Sequence, residues 1–112
     1  METAAAVKAL SALAQESRLA VFRLLIQAGP DGLAAGKLSE GAQIAPSSLS
    51  FHMKELVHAG LVTSRQEGRF VIYSAQYPAM DALVAFLTEN CCGGAPCLDC
   101  EAPPKATPRK RK

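Results

Sequence analysis

The stretch that decides the fold runs from Ala45 to Ala75 and reads APSSLSFHMKELVHAGLVTSRQEGRFVIYSA. Its first half has the period of a helix and its second half that of a strand, with the change at His58-Ala59-Gly60. Leu49, Met53 and Leu56 recur at i, i+4 and i+7, which sets them on one inward stripe of a helix. Pro46 suits the first helical position, where a missing N–H costs nothing. Beyond Gly60, the segments Leu61–Gln66 and Phe70–Ala75 are rich in Val, Ile, Phe, Tyr and Thr. They flank Glu67-Gly68, so the spacing predicts a β-hairpin with glycine at its tip.

Outward from this stretch the pattern is helical. Val7, Leu10 and Leu13 recur at helical spacing in an Ala-rich segment, which predicts a first helix over 3–14. Leu19, Phe22, Leu25 and Ile26 mark a second, ended by Gly29-Pro30-Asp31-Gly32. A short third helix is expected over 34–42, with Leu38 its one large apolar residue. Tyr77-Pro78 opens a last helix with Met80, Leu83, Val84 and Leu87 along one stripe, and Gly-Gly-Ala-Pro past Asn90 stops it. The order is four helices, a hairpin and a helix. Two short helices joined by a tight turn and followed by a two-stranded wing make a winged helix-turn-helix, so the expected class is mainly α with a β-hairpin.

Composition narrows the functional classes. The chain has 112 residues, 49% hydrophobic and 20% charged, a globular balance for about one domain. The 1–90 body has chain enough for one modest core, which makes burial against a second subunit attractive. No apolar run approaches the roughly 18 residues of a membrane span, and no secretory signal opens the chain, so a cytoplasmic protein without membrane contact is expected. Residues 1–90 carry seven Lys/Arg against eight Asp/Glu, whereas the tail holds Lys105, Arg109, Lys110, Arg111 and Lys112 against Asp99 and Glu101. Net charge alone therefore does not argue for nucleic acid; local geometry must. The end, Ala102–Lys112, is low in apolar content and expected to be mobile.

The segments LAQESRLAVFRLL (13–25), APSSLSFHMKELVHAGLV (45–62) and RQEGRFVIY (65–73) resemble, in the same order, the ArsR/SmtB family of winged-helix metal- and metalloid-responsive repressors. The resemblance implies a homodimer that reads an inverted repeat in double-stranded operator DNA. It also implies that the first and last helices form the dimer interface, although their apolar stripes read equally well as core. One departure stands out. Members of the founding arsenic type carry a Cys-Val-Cys pair in the helix before the recognition helix, where this chain reads AAGKLSEGA (34–42) with no thiol.

Physically, a recognition helix needs small polar donors near its exposed N-terminus, and Ser47, Ser48 and Ser50 supply them for phosphates or base edges. The bland reading is that these serines merely cap the helix and meet solvent. By resemblance, Ser47, Ser50 and Phe51 fall where members touch the major groove, with His52 a further candidate. Phe51 can contact a thymine methyl, whereas His52 reads equally as a hydrogen bonder at the edge of the core. Lys54 suits a backbone phosphate, diluted by Glu55 beside it. Arg65 and Arg69 bracket the hairpin tip and suit a phosphate or narrow minor groove; the alternative is a solvated cross-strand pair with Glu67. Contact is favoured for Arg69 over Arg65.

Cysteine is absent from residues 1–90 and then appears as Cys91, Cys92, Cys97 and Cys100. In a reducing compartment such a cluster reads as a metal or redox site rather than a disulfide framework. Thiolates select soft acceptors: trivalent arsenic or antimony, which take three sulfurs in a pyramid, or zinc, for which four are available. By resemblance to arsenic-responsive members with an adjacent Cys pair and one more beyond the last helix, Cys91, Cys92 and Cys97 match best and Cys100 is extra. Cys97-Leu98-Asp99-Cys100 has a redox Cys-x-x-Cys form without the strand and helix that such a site requires. The expectation is therefore a repressor of a metalloid-resistance operon, not an enzyme. It would be built from a DNA-binding and dimerisation domain (1–90) and an inducer-binding segment with a basic tail (91–112). Zinc, cadmium or thiol oxidation as the signal is the alternative, and a thiol-dependent enzyme such as an arsenate reductase a remote one.

Overall fold

Within residues 1–94, the part of the chain described by the computed structural model, the elements follow one another with little spare loop. They are α1 (Thr3–Leu13), α2 (Glu16–Ala28), β1 (Leu33–Ala34), α3 (Ala35–Ala42), α4 (Pro46–His58), β2 (Val62–Glu67), β3 (Phe70–Ala75) and α5 (Tyr77–Leu87). A tight turn, Cys91–Gly94, follows. The expected winged helix-turn-helix is present, with each helix and the hairpin in its predicted place.

The sheet has one strand more than the sequence pattern predicts. β1 pairs antiparallel with β3, matching Leu33 to Tyr73 and Ala34 to Ile72, so the strand order is β1-β3-β2. Two residues are too few to show an alternating pattern, and tertiary pairing alone defines this strand. Its approach depends on Gly32, whose φ is 77° and where an added Cβ would stand 2.2 Å from the Tyr73 carbonyl oxygen. Only glycine fits there.

The core gathers beneath the helices. Val21, Phe22 and Leu25 of α2, Leu38 of α3, Leu49, Met53 and Leu56 of α4, Leu61 and Val62 at the entry to β2, and Leu83 of α5 are all buried. Tyr77, at the start of α5, donates its hydroxyl to the Ile26 carbonyl at 2.9 Å and so ties the last helix to the end of α2.

α1 enters this core through alanine. Ala6, Ala9 and Ala12 are buried, whereas Val7 and Leu10 are 55% and 42% exposed. Of the two uses open to the Val7-Leu10-Leu13 stripe, Val7 and Leu10 do not take the core one. α5, which packs beside α1, divides its stripe: Leu83 is buried, while Val84 and Leu87 are 54% and 59% exposed. Small inward residues let α1 lie close to the body and leave its larger side chains outside.

Candidate nucleic-acid interface

The turn between α3 and α4 is held tightly. Gln43 takes a left-handed conformation at φ 57°, and the Ile44 N–H returns to the Ser39 carbonyl at 3.0 Å. The Ser39 hydroxyl donates to the Ile44 carbonyl oxygen. The first of these bonds satisfies a last-turn carbonyl of α3, and the two together fix the angle at which α4 leaves.

α4 begins at Pro46 with no side chain capping its first N–H groups. The backbone donors of its first turn are thereby left to an outside acceptor, for which the positive end of the helix dipole selects an anion. Burying Leu49, Met53 and Leu56 turns the opposite face outward. Ser47, Ser48, Ser50 and Lys54 are exposed, and Phe51, at 58%, is among the most exposed large apolar side chains. His52 is half-buried on the flank, its ring edge-on to Phe51 with centroids 5.7 Å apart. One face of α4 thus offers hydroxyl donors, an aromatic ring and a cation, the set that a major-groove helix uses.

The wing is a hairpin of β2 and β3 closed by Gly68 and Arg69, with Glu67 opposite Phe70. Gly68 has φ 63°, the positive value that a tight hairpin turn demands at its first central residue. The two arginines differ in setting. Arg65 donates to Glu67 Oε2 at 2.6 Å, to Ser74 Oγ at 3.1 Å and to the Asp31 carbonyl at 2.9 Å. Arg69 is exposed at the tip, with no hydrogen-bond or ion-pair partner among the described residues. Arg65 thus pairs with Glu67, but along β2 rather than across the hairpin, since its cross-strand neighbour is Ile72, and Arg65 also braces the wing. Sequence reasoning missed this bracing and missed Arg18 of α2, which touches His52. Each contact spans 34 residues, and no local pattern announces it.

At the other end of the chain, Cys91 and Cys92 stand exposed on the turn after α5, with Sγ atoms 3.7 Å apart and no disulfide between them. Thr88 closes the helix by donating its hydroxyl to the Val84 carbonyl at 2.9 Å. Asn90, Cys92 and Gly93 all have positive φ, so the backbone coils tightly enough to present adjacent thiols together. Cys97, Cys100 and the basic tail lie outside the described residues. No helix in the described part is long and apolar enough to cross a membrane.

Comparison with known proteins agrees with this geometry. A family model described as a helix-turn-helix domain matches residues 13–65. The HTH-type transcriptional regulator YgaV of Escherichia coli is 30% identical over 91 residues, covering 81% of this chain and 88% of that protein. A putative arsenical resistance operon repressor, ArsR, from Halobacterium salinarum is 36% identical over 79 residues, 70% of this chain and 60% of that one. The chain spans less than two thirds of the length of two of the curated relatives it matches. Among solved structures, HlyU from Vibrio cholerae superposes with a TM-score of 0.65 at 33% identity, covering 82% of this chain and 99% of that one.

Proposed function

The chain belongs to the ArsR/SmtB family of winged helix-turn-helix transcriptional regulators, which are not enzymes, and from that premise we propose that it is a homodimeric repressor whose grip on operator DNA is released by trivalent arsenic or antimony. α4 would enter the major groove through Ser47, Ser48, Ser50 and Phe51, with His52 and Lys54 at its flanks and Arg69 on the neighbouring backbone or minor groove. Arg65 would serve that contact chiefly by holding the wing in place. Two α4 helices related by a dimer axis would read an inverted repeat about one helical turn apart. The outward side chains Val7, Leu10, Val84 and Leu87 support pairing through α1 and α5, since a monomer gains nothing by leaving them in water. A cytoplasmic location is part of the same reading.

The observation that carries the inducer reading is the pair of exposed thiols 3.7 Å apart directly beyond α5. Two thiolates bound to one ion at about 2.3 Å stand about 3.8 Å apart in a tetrahedron and somewhat closer in the pyramid of trivalent arsenic, so Cys91 and Cys92 need little movement to share one. The donors are all sulfur, the choice of a soft ion, and Cys97 or Cys100 would supply the third ligand. Similarity to the Halobacterium protein, a putative arsenical resistance operon repressor, favours arsenic within that class. An ion held there would pull on the end of α5, next to the apolar face proposed for the dimer. Coupling of this kind amounts to about 1–3 kcal/mol, or roughly 5- to 150-fold in DNA affinity. The same sulfur spacing also suits zinc or cadmium, which keeps that inducer class as the second reading.

The test is DNA binding by the full chain, using the tightest duplex selected from random sequence, titrated separately with arsenite, antimonite, zinc and peroxide. Release by arsenite or antimonite at concentrations where zinc and peroxide do nothing is the expected result. Release by zinc or peroxide alone would replace the inducer and keep the regulator.

A further inference from the structure

Arg18 stands where three helices meet. Its backbone N–H donates to Gln15 Oε1 at 2.9 Å and opens α2. Its Nε donates to the carbonyl oxygen of Ala12, in the last turn of α1, at 2.7 Å. Its Nη1 lies 3.4 Å from Nδ1 of His52 on α4. Neither side-chain partner is a carboxylate, and the one ion pair among the described residues joins Arg65 to Glu67.

The chemistry of this contact has one solution. A guanidinium has five N–H donors, no acceptor, and keeps its proton in any folded protein. Nδ1 of His52 must therefore be the acceptor, which requires a neutral ring with its single proton on Nε2. We propose that Arg18 is a positioning residue for His52: it fixes the imidazole as an Nε2–H donor on α4 and fastens that helix to the end of α1. This rests on the reading of α4 as the DNA-contacting helix. A donor in that place matches a guanine O6 or N7, an adenine N7, a thymine O4 or a phosphate oxygen. It mismatches the amino groups of adenine and cytosine, which are donors themselves. Arg18 thus acts on recognition without touching DNA, by removing the alternative tautomer with which His52 would accept instead.

Two measurements test this. In the DNA-free full chain at pH 8, long-range proton–nitrogen correlation through the imidazole ring protons reads the tautomer of His52. The expected result is an essentially pure Nε2–H form that gives way to a mixture in Arg18→Gln. A wild-type ring protonated on Nδ1 would overturn the proposal. The second measurement is a double-mutant cycle of Arg18→Gln and His52→Ala, read as affinity for the duplex selected from random sequence. Each single change is expected to weaken binding about tenfold, with the double variant little worse than either single one. Losses that multiply to about a hundredfold would mean that Arg18 acts independently of His52, and would overturn it. Arg18→Lys keeps the charge but cannot span both acceptors, so full affinity in that variant would also count against the proposal. Should Arg18→Gln fail to fold, the wild-type tautomer still decides. Failure of the wild type to bind any selected duplex would sink the DNA-binding reading and leave the tautomer result standing.

Discussion

Arg65, in the wing, donates from Nη2 to the backbone carbonyl of Asp31 at 2.9 Å, joining the hairpin to the loop ahead of β1. With its bonds to Glu67 and Ser74, this makes Arg65 a brace and leaves Arg69 as the cation offered by the wing tip. The two arginines, four residues apart, should therefore fail in different ways when removed.

Arg69→Ala should weaken DNA binding about equally on all sequences and make the salt dependence shallower by about 1 per arginine removed, with unchanged stability. Arg65→Ala should instead lower stability by about 1 kcal/mol, a modest figure because the side chain is 45% exposed. Binding isotherms across salt concentrations, beside urea unfolding curves, separate the two effects.

On α4, Ser50→Ala and Phe51→Ala should change which sequences are preferred more than they change affinity for random DNA. A lost base contact costs about 1–3 kcal/mol at the position it reads. Selection from random duplexes with each variant checks this; an unaltered preferred site for both would move the reading face elsewhere on the helix.

The outward apolar side chains of α1 and α5 predict the oligomeric state. Val84→Asp or Leu87→Asp should convert the dimer to monomers, measured by light scattering after gel filtration. DNA affinity should fall with it, because two half-sites are no longer held by one particle.

Cys91→Ser and Cys92→Ser should each retain DNA binding and lose arsenite-induced release. A chain ending at Asn90 should behave the same way. Comparing Cys97→Ser with Cys100→Ser identifies the third sulfur, with the greater loss expected for Cys97→Ser. Release of the Asn90-terminated chain by arsenite would move the inducer site into the body of the protein.

Gly32→Ala should destabilise the fold by about 2–4 kcal/mol, since the new methyl meets the Tyr73 carbonyl at 2.2 Å and the backbone is held at φ 77°. Urea denaturation measures this directly. A loss below about 1 kcal/mol would mean that β1 shifts to make room.

Most of the scaffold is written locally. The change of period at Gly60, Pro46 at the head of α4 and Gly68 at the hairpin tip each act over a few residues, and the elements they announce are present. What escaped is what only long-range contact defines. β1 has two residues and exists through Tyr73 and Ile72 of β3, while the roles of Arg65 and Arg18 come from partners 34 residues away. The inward stripe of α1 escaped for another reason. Hydrophobicity ranks Val7 and Leu10 above alanine, but close helix packing selects by size, and Ala6, Ala9 and Ala12 went inward.

That choice of alanine reaches beyond packing. Each methyl tucked under α1 contributes less than about 1 kcal/mol, so the segment is only lightly anchored to its own subunit. A firmer hold would come from a cover over the valine and leucine on its other side, which stand exposed. If that cover is a twin chain, parting the twins and fraying the N-terminal coil become one event, and resistance to heat climbs as the solution grows more concentrated.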